Sequence, residues 1–301
     1  KDGFRHIVPG RADFGGRFSA LSNFGLVPAA IIGMDCRRFL ENTQQMVSAC
    51  AAPTPAAENP GVLLGAMLGV AALNGHDKLT LVASSQVASM GAWLEQLIAE
   101  STGKQGRGVL PLDGEPTGSP AVYGNDRVFV YLRLDGAADA GQDDAIEQLE
   151  QAGQPVIRIN ITDIYNLGQE LFRWEIATAV IGALLEVNPF DQPDVEASKI
   201  ETRKLMGAFE TGDKLPGEVP LASDGQLVLY ADARNAAELG DLCREEATVA
   251  GFLKAHLDRI QAGDYVAFLA YLESNDSQTR MNQDKRQSQR ETHKVSTSIG
   301  Y

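Results

Sequence analysis

Cysteine, histidine and tryptophan are scarce in this 301-residue chain, at three, four and two copies, and the first two shortages each remove a class of chemistry. Cys36, Cys50 and Cys243 form an odd set without CxxC spacing, so neither a disulfide framework nor a zinc knuckle is indicated, and three buried thiols in a reducing cytosol are expected. His6, His76, His256 and His293 show no HxH, HxxxH or HExxH spacing, so no metal site is expected. No GxSxG elbow or GxGxxG turn follows a strand pattern, which argues against a hydrolase triad or a dinucleotide fold. No uncharged apolar stretch, Ile176–Leu185 among them, is long enough to span a bilayer. The opening KDGFRHIVPG lacks the apolar run of a signal peptide, and a cytoplasmic chain without membrane contact is expected. Positive charge is short as well: 26 Lys and Arg against 40 Asp and Glu leave a net charge of −14. Such a chain repels phosphate backbones, so nucleic acid is not an expected partner. An anionic ligand must be held by locally clustered basic groups and backbone N–H groups.

What is present is enough apolar sequence, 44% of residues, to bury a core. β-rich runs at 79–83, 108–112, 127–132 and 155–159 alternate with helical patterns at 59–74, 86–100, 142–152 and 165–187. That alternation predicts βαβ crossovers, hence a doubly wound α/β fold with a mostly parallel sheet covered on both faces. Ligands are then expected beyond the carboxyl ends of the strands. Gly61, Gly65 and Gly69 line one face of the first of these helices and are expected to pack it closely on the sheet. Thr211–Pro220 is rich in Pro and Gly, which sets a domain over 1–210, a linker over 211–224 and a truncated C-terminal α/β extension over 225–301. The extension reads as a strand at 226–230, a helix near 236–261, a strand at 265–271 and a polar helix over 276–294. The basic residues of that last helix, Arg280, Lys285, Arg286, Arg290 and Lys294, are most simply a solvated face.

Three segments stand out from ordinary scaffold. In Asp13-Phe-Gly-Gly-Arg-Phe-Ser19, Gly15 and Gly16 would let the backbone turn and bring the Arg17 guanidinium, a rigid fork of donors, into a cleft; taken alone, such a turn is an ordinary surface loop. In Glu100-Ser101-Thr-Gly-Lys104, Gly103 can end an apolar helix as its left-handed residue. A carboxylate there faces the negative end of the helix dipole, the right setting for a general base. The Gly-Lys pair is not a P-loop, because Ile98 stands where that motif needs Gly, and Glu100 alone would be a solvated helix-end residue. In Phe190-Asp-Gln-Pro-Asp-Val-Glu-Ala-Ser-Lys199, Asn188-Pro189 breaks one helix and Asp191 can cap the next, with Pro193 in its first turn. Gln192 would stand at that helix N-terminus, where anions are favoured, with Lys199 two turns on. A kinked helix pair with an exposed Lys fits the same pattern.

Together and in order, these segments resemble motifs of the glucose-6-phosphate isomerase family, a sugar-isomerase-type α/β family. Asp13–Ser19 is similar to one diagnostic motif and Leu184–Lys199, with its Phe-Asp-Gln-x-x-Val-Glu-x-x-Lys core, to another. Glu100-Ser-Thr-Gly-Lys resembles the catalytic Glu-Ser-x-Gly-Lys. With Gly25-Leu-Val-Pro-Ala29 and the long segment past 211, the chain resembles the isomerase half of proteins in which that enzyme is fused to transaldolase. The resemblance implies that Glu100 moves a proton between C2 and C1, that Arg17 steadies the enediolate, and that Lys199 assists ring opening. Gln192 would hold the substrate phosphate, with Gly15, Gly16, Ser101 and Lys104 in the substrate-binding set. It implies a phosphosugar substrate and no cofactor, and it places a homo-oligomer and a fused or associated transaldolase domain among the expected partners. Asp194 stands where that family usually has Gly or Ala, and no histidine matches its ring-opening one. No upstream Ser/Thr-rich phosphate loop is found, so the chain resembles a second sugar-isomerase domain plus an extension. The alternative is a non-catalytic sugar-phosphate-binding module or an incomplete isomerase half of a bifunctional transaldolase.

Overall fold

The computed structural model describes residues 3–212, 215, 217–243, 247–273 and 275–300. The chain divides into two compact units, Lys1–Gln192 together with Val266–Tyr301, and Pro193–Tyr265. The first unit runs α1 (Asn23–Ile31), α2 (Cys36–Ala49), α3 (Pro60–Leu73), β1 (Lys78–Ala83), α4 (Met90–Thr102), β2 (Leu110–Leu112), β3 (Arg127–Leu134), α5 (Ala140–Gln151), β4 (Val156–Ile161) and α6 (Leu167–Leu184). All four strands are parallel, in the order β2-β1-β3-β4, with Lys78 opposite both Leu110 and Arg127. The α/β expectation therefore holds, with the helices divided between the two faces.

The pleat explains the layering. Along β3, Val128, Val130, Leu132 and Leu134 point into one core with Leu79, Leu81, Leu94, Leu97, Ile98 and Trp174. Phe129 and Tyr131 point the other way, against Ile146 and Leu149 of α5. A strand buried on both faces reads as a continuous apolar run, and β3 does. α3 begins where the Asn59 side chain accepts from Val62 N at 3.1 Å, with Pro60 at its first position. Its glycine face meets α6 rather than the sheet: a Cβ on Gly65 would lie 2.5 Å from the Ala177 carbonyl and 2.6 Å from Val180 Cβ. The small residues thus allow a close helix–helix contact, not the helix–sheet contact expected.

The second unit holds α7 (Pro193–Gly212), β5 (Ala222–Ser223), β6 (Val228–Leu229), α8 (Ala233–Leu242) and α9 (Val249–Leu257). β5 and β6 pair antiparallel, and Leu239, Cys243 and Phe252 form a small core beside them. The single helix expected near 236–261 is two helices, each started by its own cap. Asp232 accepts from Arg234 N and Asn235 N, and Thr248 from Gly251 N, all at 3.0 Å.

β7 (Tyr265–Leu269), α10 (Asp276–His293) and β8 (Ser296–Gly300) follow, with β7 and β8 forming a two-stranded sheet. The compact units thus divide at Gln192 rather than at 210, and the last segment belongs with the first unit rather than with an extension over 225–301. The reason is the basic face of α10, expected to be solvated. Arg286 and Arg290 are buried; Arg286 donates to Asp113 O at 2.9 Å, and Arg290 meets the buried Glu115 at 3.5 Å.

Candidate functional site

Arg17 sits in a short 3-10 turn, Gly16–Phe18, and its side chain is only 2% exposed. A buried guanidinium must direct its donors at fixed acceptors, and each has one. Nε donates to Ser101 Oγ at 2.8 Å, and NH1 to Gln192 Oε1 at 3.1 Å. NH2 donates to the carbonyls of Pro189 at 2.8 Å and Asp191 at 3.0 Å. Glu100 Oε1 forms an ion pair with NH1 at 3.2 Å. Burial pulls the Arg17 pKa down from its usual value, and the charges of Glu100 and Asp191 oppose the shift.

Three chain segments far apart in sequence therefore meet on one side chain. α4 contributes Glu100 and Ser101 in its last turn. It also contributes Trp93, whose indole N–H donates to Arg17 O at 3.0 Å. Glu100 keeps about a quarter of its side chain exposed, at 24%, whereas Ser101 is fully buried. The Asn188–Gln192 loop contributes Gln192 and two carbonyls. Lys104 pins that loop: its ammonium donates to the carbonyl of Asn188, to the Asp191 carbonyl at 2.5 Å and to Asp191 Oδ1 at 2.7 Å. The Lys104 ammonium bonded to it holds the Asp191 carboxyl below its usual range. Asp191 is thus a partner of Lys104 and of Asn188, whose amide donates to Oδ2 at 3.1 Å. Phe18 and Phe190 close the contact with ring centroids 5.4 Å apart.

The glycines work differently from expectation. Neither Gly15 nor Gly16 has positive φ. Gly15 borders the guanidinium, where a Cβ would meet Arg17 NH1 at 3.8 Å, and around Gly16 nothing lies within 4 Å. Gly103 is not left-handed either, at φ −73°. The left-handed residues after α4 are Gln105 and Gly106, at φ 56° and 73°, the pair that closes the tight Lys104–Arg107 turn. Gly103 is small because a Cβ there would approach Ala99 O to 2.8 Å.

Topology moves the site to an unexpected end of the sheet. α4 leaves the carboxyl end of β1 and must return to the amino end of β2, so its last turn lies at the amino ends of the strands. α6 makes the same return after β4, which brings Asn188–Gln192 there too. Lys199 belongs to the second unit: it is exposed on α7 and bridges Glu196 at 2.8 Å. The carbonyl acceptors of Pro189 and Asp191, and the Trp93 indole, left no trace in residue spacing. Only the Asn188-Pro189 break marked where those carbonyls would turn inward. Among the described residues, no group of three or more His, Cys, Asp or Glu could hold a metal ion, and no helix is long and apolar enough to cross a membrane.

No family model matches the chain. Over 233 residues it is 32% identical to a glucose-6-phosphate isomerase from Rubrobacter xylanophilus, covering 65% of this chain and 54% of that protein. It is 30% identical over 234 residues to a probable glucose-6-phosphate isomerase from Haloarcula marismortui, covering 66% and 53%. The chain thus spans about half the length of these curated relatives. Among solved structures, a hypothetical protein from Thermus thermophilus superimposes with a TM-score of 0.55 at 26% identity, over 64% of this chain and 55% of that one. A glucose-6-phosphate isomerase from Chlamydia trachomatis gives 0.53 at 17% identity over 65% and 48%, a likeness of fold alone. The chain is glucose-6-phosphate-isomerase-like over about two thirds of its length.

Proposed function

We propose that this chain carries the proton-transfer part of an aldose–ketose isomerase acting on glucose 6-phosphate and fructose 6-phosphate. The observation that supports it most is the meeting of Glu100, Ser101 and Gln192 on one buried guanidinium, with the carboxylate 3.2 Å from NH1. An acid–base group beside a fixed cation is what an enediolate pathway asks for. The Glu100 carboxylate takes the proton from C2 of the open-chain aldose. The C–H electron pair becomes the C1=C2 double bond, and the carbonyl electrons move onto O1. The O2 proton then passes to O1, the O2 electrons form the C2 carbonyl, and the C1=C2 pair takes the proton back from Glu100 at C1, giving the ketose and restoring the carboxylate. Arg17 steadies the transient oxyanion.

All the Arg17 donors are occupied by protein groups here, so the enediolate oxygen must take the place of Gln192 or Glu100 on NH1. Displacing Glu100 from that contact is also what frees its carboxylate to face C1 and C2. Ser101 and Lys104 act by holding Arg17 and the Asn188–Gln192 loop in place, and Gly15 and Gly16 leave room for the sugar. Gln192 toward the phosphate and Lys199 in ring opening belong to the same reading, supported by the motif resemblance. So do a cytoplasmic setting, a homo-oligomer and an attached transaldolase domain, for which the long segment past Thr211 is the support.

The test is solvent exchange of the C2 proton, followed by NMR with glucose 6-phosphate in deuterated water, alongside calorimetric binding. Glu100→Gln is expected to abolish exchange and leave phosphosugar binding within about threefold, since truncating a group used only in the transition state spares the ground state. Unchanged exchange sinks the assignment. Binding without exchange in the unmodified chain favours a non-catalytic phosphosugar-binding module.

A further inference from the structure

The helix that carries Glu100 is gripped at its other end by the C-terminal segment. Gln283, Arg286 and Arg290 fall on one face of α10 at i, i+3 and i+7. They donate to three carbonyls of the turn after β2: Gly114 O at 3.0 Å, Asp113 O at 2.9 Å and Pro116 O at 2.6 Å. Arg290 also meets the buried Glu115, itself paired with Arg127. The Asp113–Pro116 segment is therefore fixed by α10, and Asp113 in turn bears on α4. Its carboxylate lies against Gly91 in the first turn of α4, where a Cβ would overlap a carboxylate oxygen.

That position suits a negative charge. The α4 N-cap, Ser89, makes no side-chain hydrogen bond and Gly91 N–H donates to Ala88 O at 2.9 Å, while the positive end of the helix dipole faces Asp113. One turn on, Glu95 lies close to Asp113 and within reach of the Arg286 charge, and accepts from Ser298 Oγ of β8 at 3.5 Å. Burial raises both carboxyls above their ordinary values, and the Arg286 charge opposes each shift. Glu100 is five residues further along the same helix, about 7.5 Å down its axis, so any axial slip at Gly91–Glu95 reaches it undiminished.

We propose that Arg286 is a positioning residue: by holding Asp113 against the first turn of α4, it fixes the register in which that helix presents Glu100 to Arg17. The catalytic half of this inference rests on the isomerase reading; the structural half does not. Trp93 reports the register directly, since its indole donates to Arg17 O. Incorporating 5-fluorotryptophan gives two 19F resonances for the two tryptophans of the chain, assigned with Trp174→Phe. In Arg286→Gln the Trp93 resonance is expected to move while that of Trp174 stays, and Arg286→Lys, which keeps the charge, is expected to restore most of the shift. C2 exchange should slow by about tenfold or more at saturating substrate, with KM within about twofold, because a small misplacement costs turnover rather than binding.

Gly91→Ala gives a second route with opposite signs. Alanine favours a helix over glycine, so without the Asp113 contact Tm rises and Trp93 stays still; with it, Tm falls and Trp93 moves. A folded Arg286→Gln with an unshifted Trp93 resonance, or a raised Tm in Gly91→Ala, overturns the proposal. If Arg286→Gln does not fold, Gly91→Ala decides alone. Absent C2 exchange in the unmodified chain removes the isomerase reading, while the Trp93 shifts still decide whether Arg286 sets the register.

Discussion

Glu115 offers the sharpest test of what holds the first unit together. Its side chain is 0% exposed, and so is that of Arg127, which donates to it through both terminal nitrogens; Arg290, at 4%, stands 3.5 Å away. Glu115→Gln keeps the shape and removes the charge, leaving two buried guanidiniums without their shared counter-ion. Breaking a buried pair from one side costs about 3–5 kcal/mol, because the desolvated partner is left uncompensated. For a unit of this size each kcal/mol lowers Tm by about 2–4 °C, so a fall of roughly 6–20 °C is expected. Calorimetry measures it, and near-UV circular dichroism follows the local event, since Tyr123 lies between the two guanidiniums at 5.0 and 5.2 Å. The exposed pair Arg107–Glu186, at 2.9 Å, is the control. Glu186→Gln should cost less than about 1 kcal/mol, because water already screens both charges. Equal losses in the two variants, or a Glu115→Gln loss below about 1 kcal/mol, would refute the claim that burial decides the worth of these pairs.

Three further outcomes follow from burial and packing. Burial raises the carboxyl of Glu170 from its ordinary 4.5 to about 7 and that of Glu175 to about 8. The folded state then holds protons that the unfolded chain has released, so stability should fall as pH rises from about 4.5 to 8, and Glu175→Gln should flatten that slope in urea titrations. Gly65→Ala should destabilise despite the helix propensity it gains, about 1 kcal/mol, because its Cβ would meet the Ala177 carbonyl at 2.5 Å and overpacking costs about 1–3 kcal/mol. Gly207→Ala on α7, with nothing within 4 Å, should stabilise by about 1 kcal/mol, and thermal melts of the two variants separate packing from propensity.

The sheet was legible because its strands and helices obey different periods, and every crossover of the first unit came out within a few residues. The units were not, because their boundary is set by contacts rather than composition. Thr211–Pro220 looks like a linker, yet the chain divides at Gln192, and the buried partners of Arg286 and Arg290 lie well over a hundred residues upstream at Asp113–Glu115. A basic run on a polar helix reads as solvated until a buried carboxylate elsewhere claims it. Likewise Ser101 and Lys104 were marked for a ligand, whereas their polar atoms are bonded to Arg17 and to the Asn188–Asp191 loop. Spacing reveals that a residue is special without revealing whether it touches the ligand or the groups that do.

The location of the site shows how two sound rules can conflict. Open parallel sheets gather ligands beyond the carboxyl ends of their strands, while Glu100 was singled out for standing at the end of a helix. Both cannot hold on a crossover helix. α4 has thirteen residues, about 20 Å at 1.5 Å each, enough to carry the chain the whole way back past β1 to the start of β2. Anything in its last turn must therefore face the amino ends. The conflict settles in favour of covalent geometry, and it ties the chemistry to a long lever. The Glu100 carboxylate sits in the last turn of α4, whereas Asp113 meets Gly91 in its first turn and Ser298 meets Glu95 at mid-helix. On the isomerase reading proposed above, such a site is positioned from the opposite ends of the strands, by residues that lie outside it.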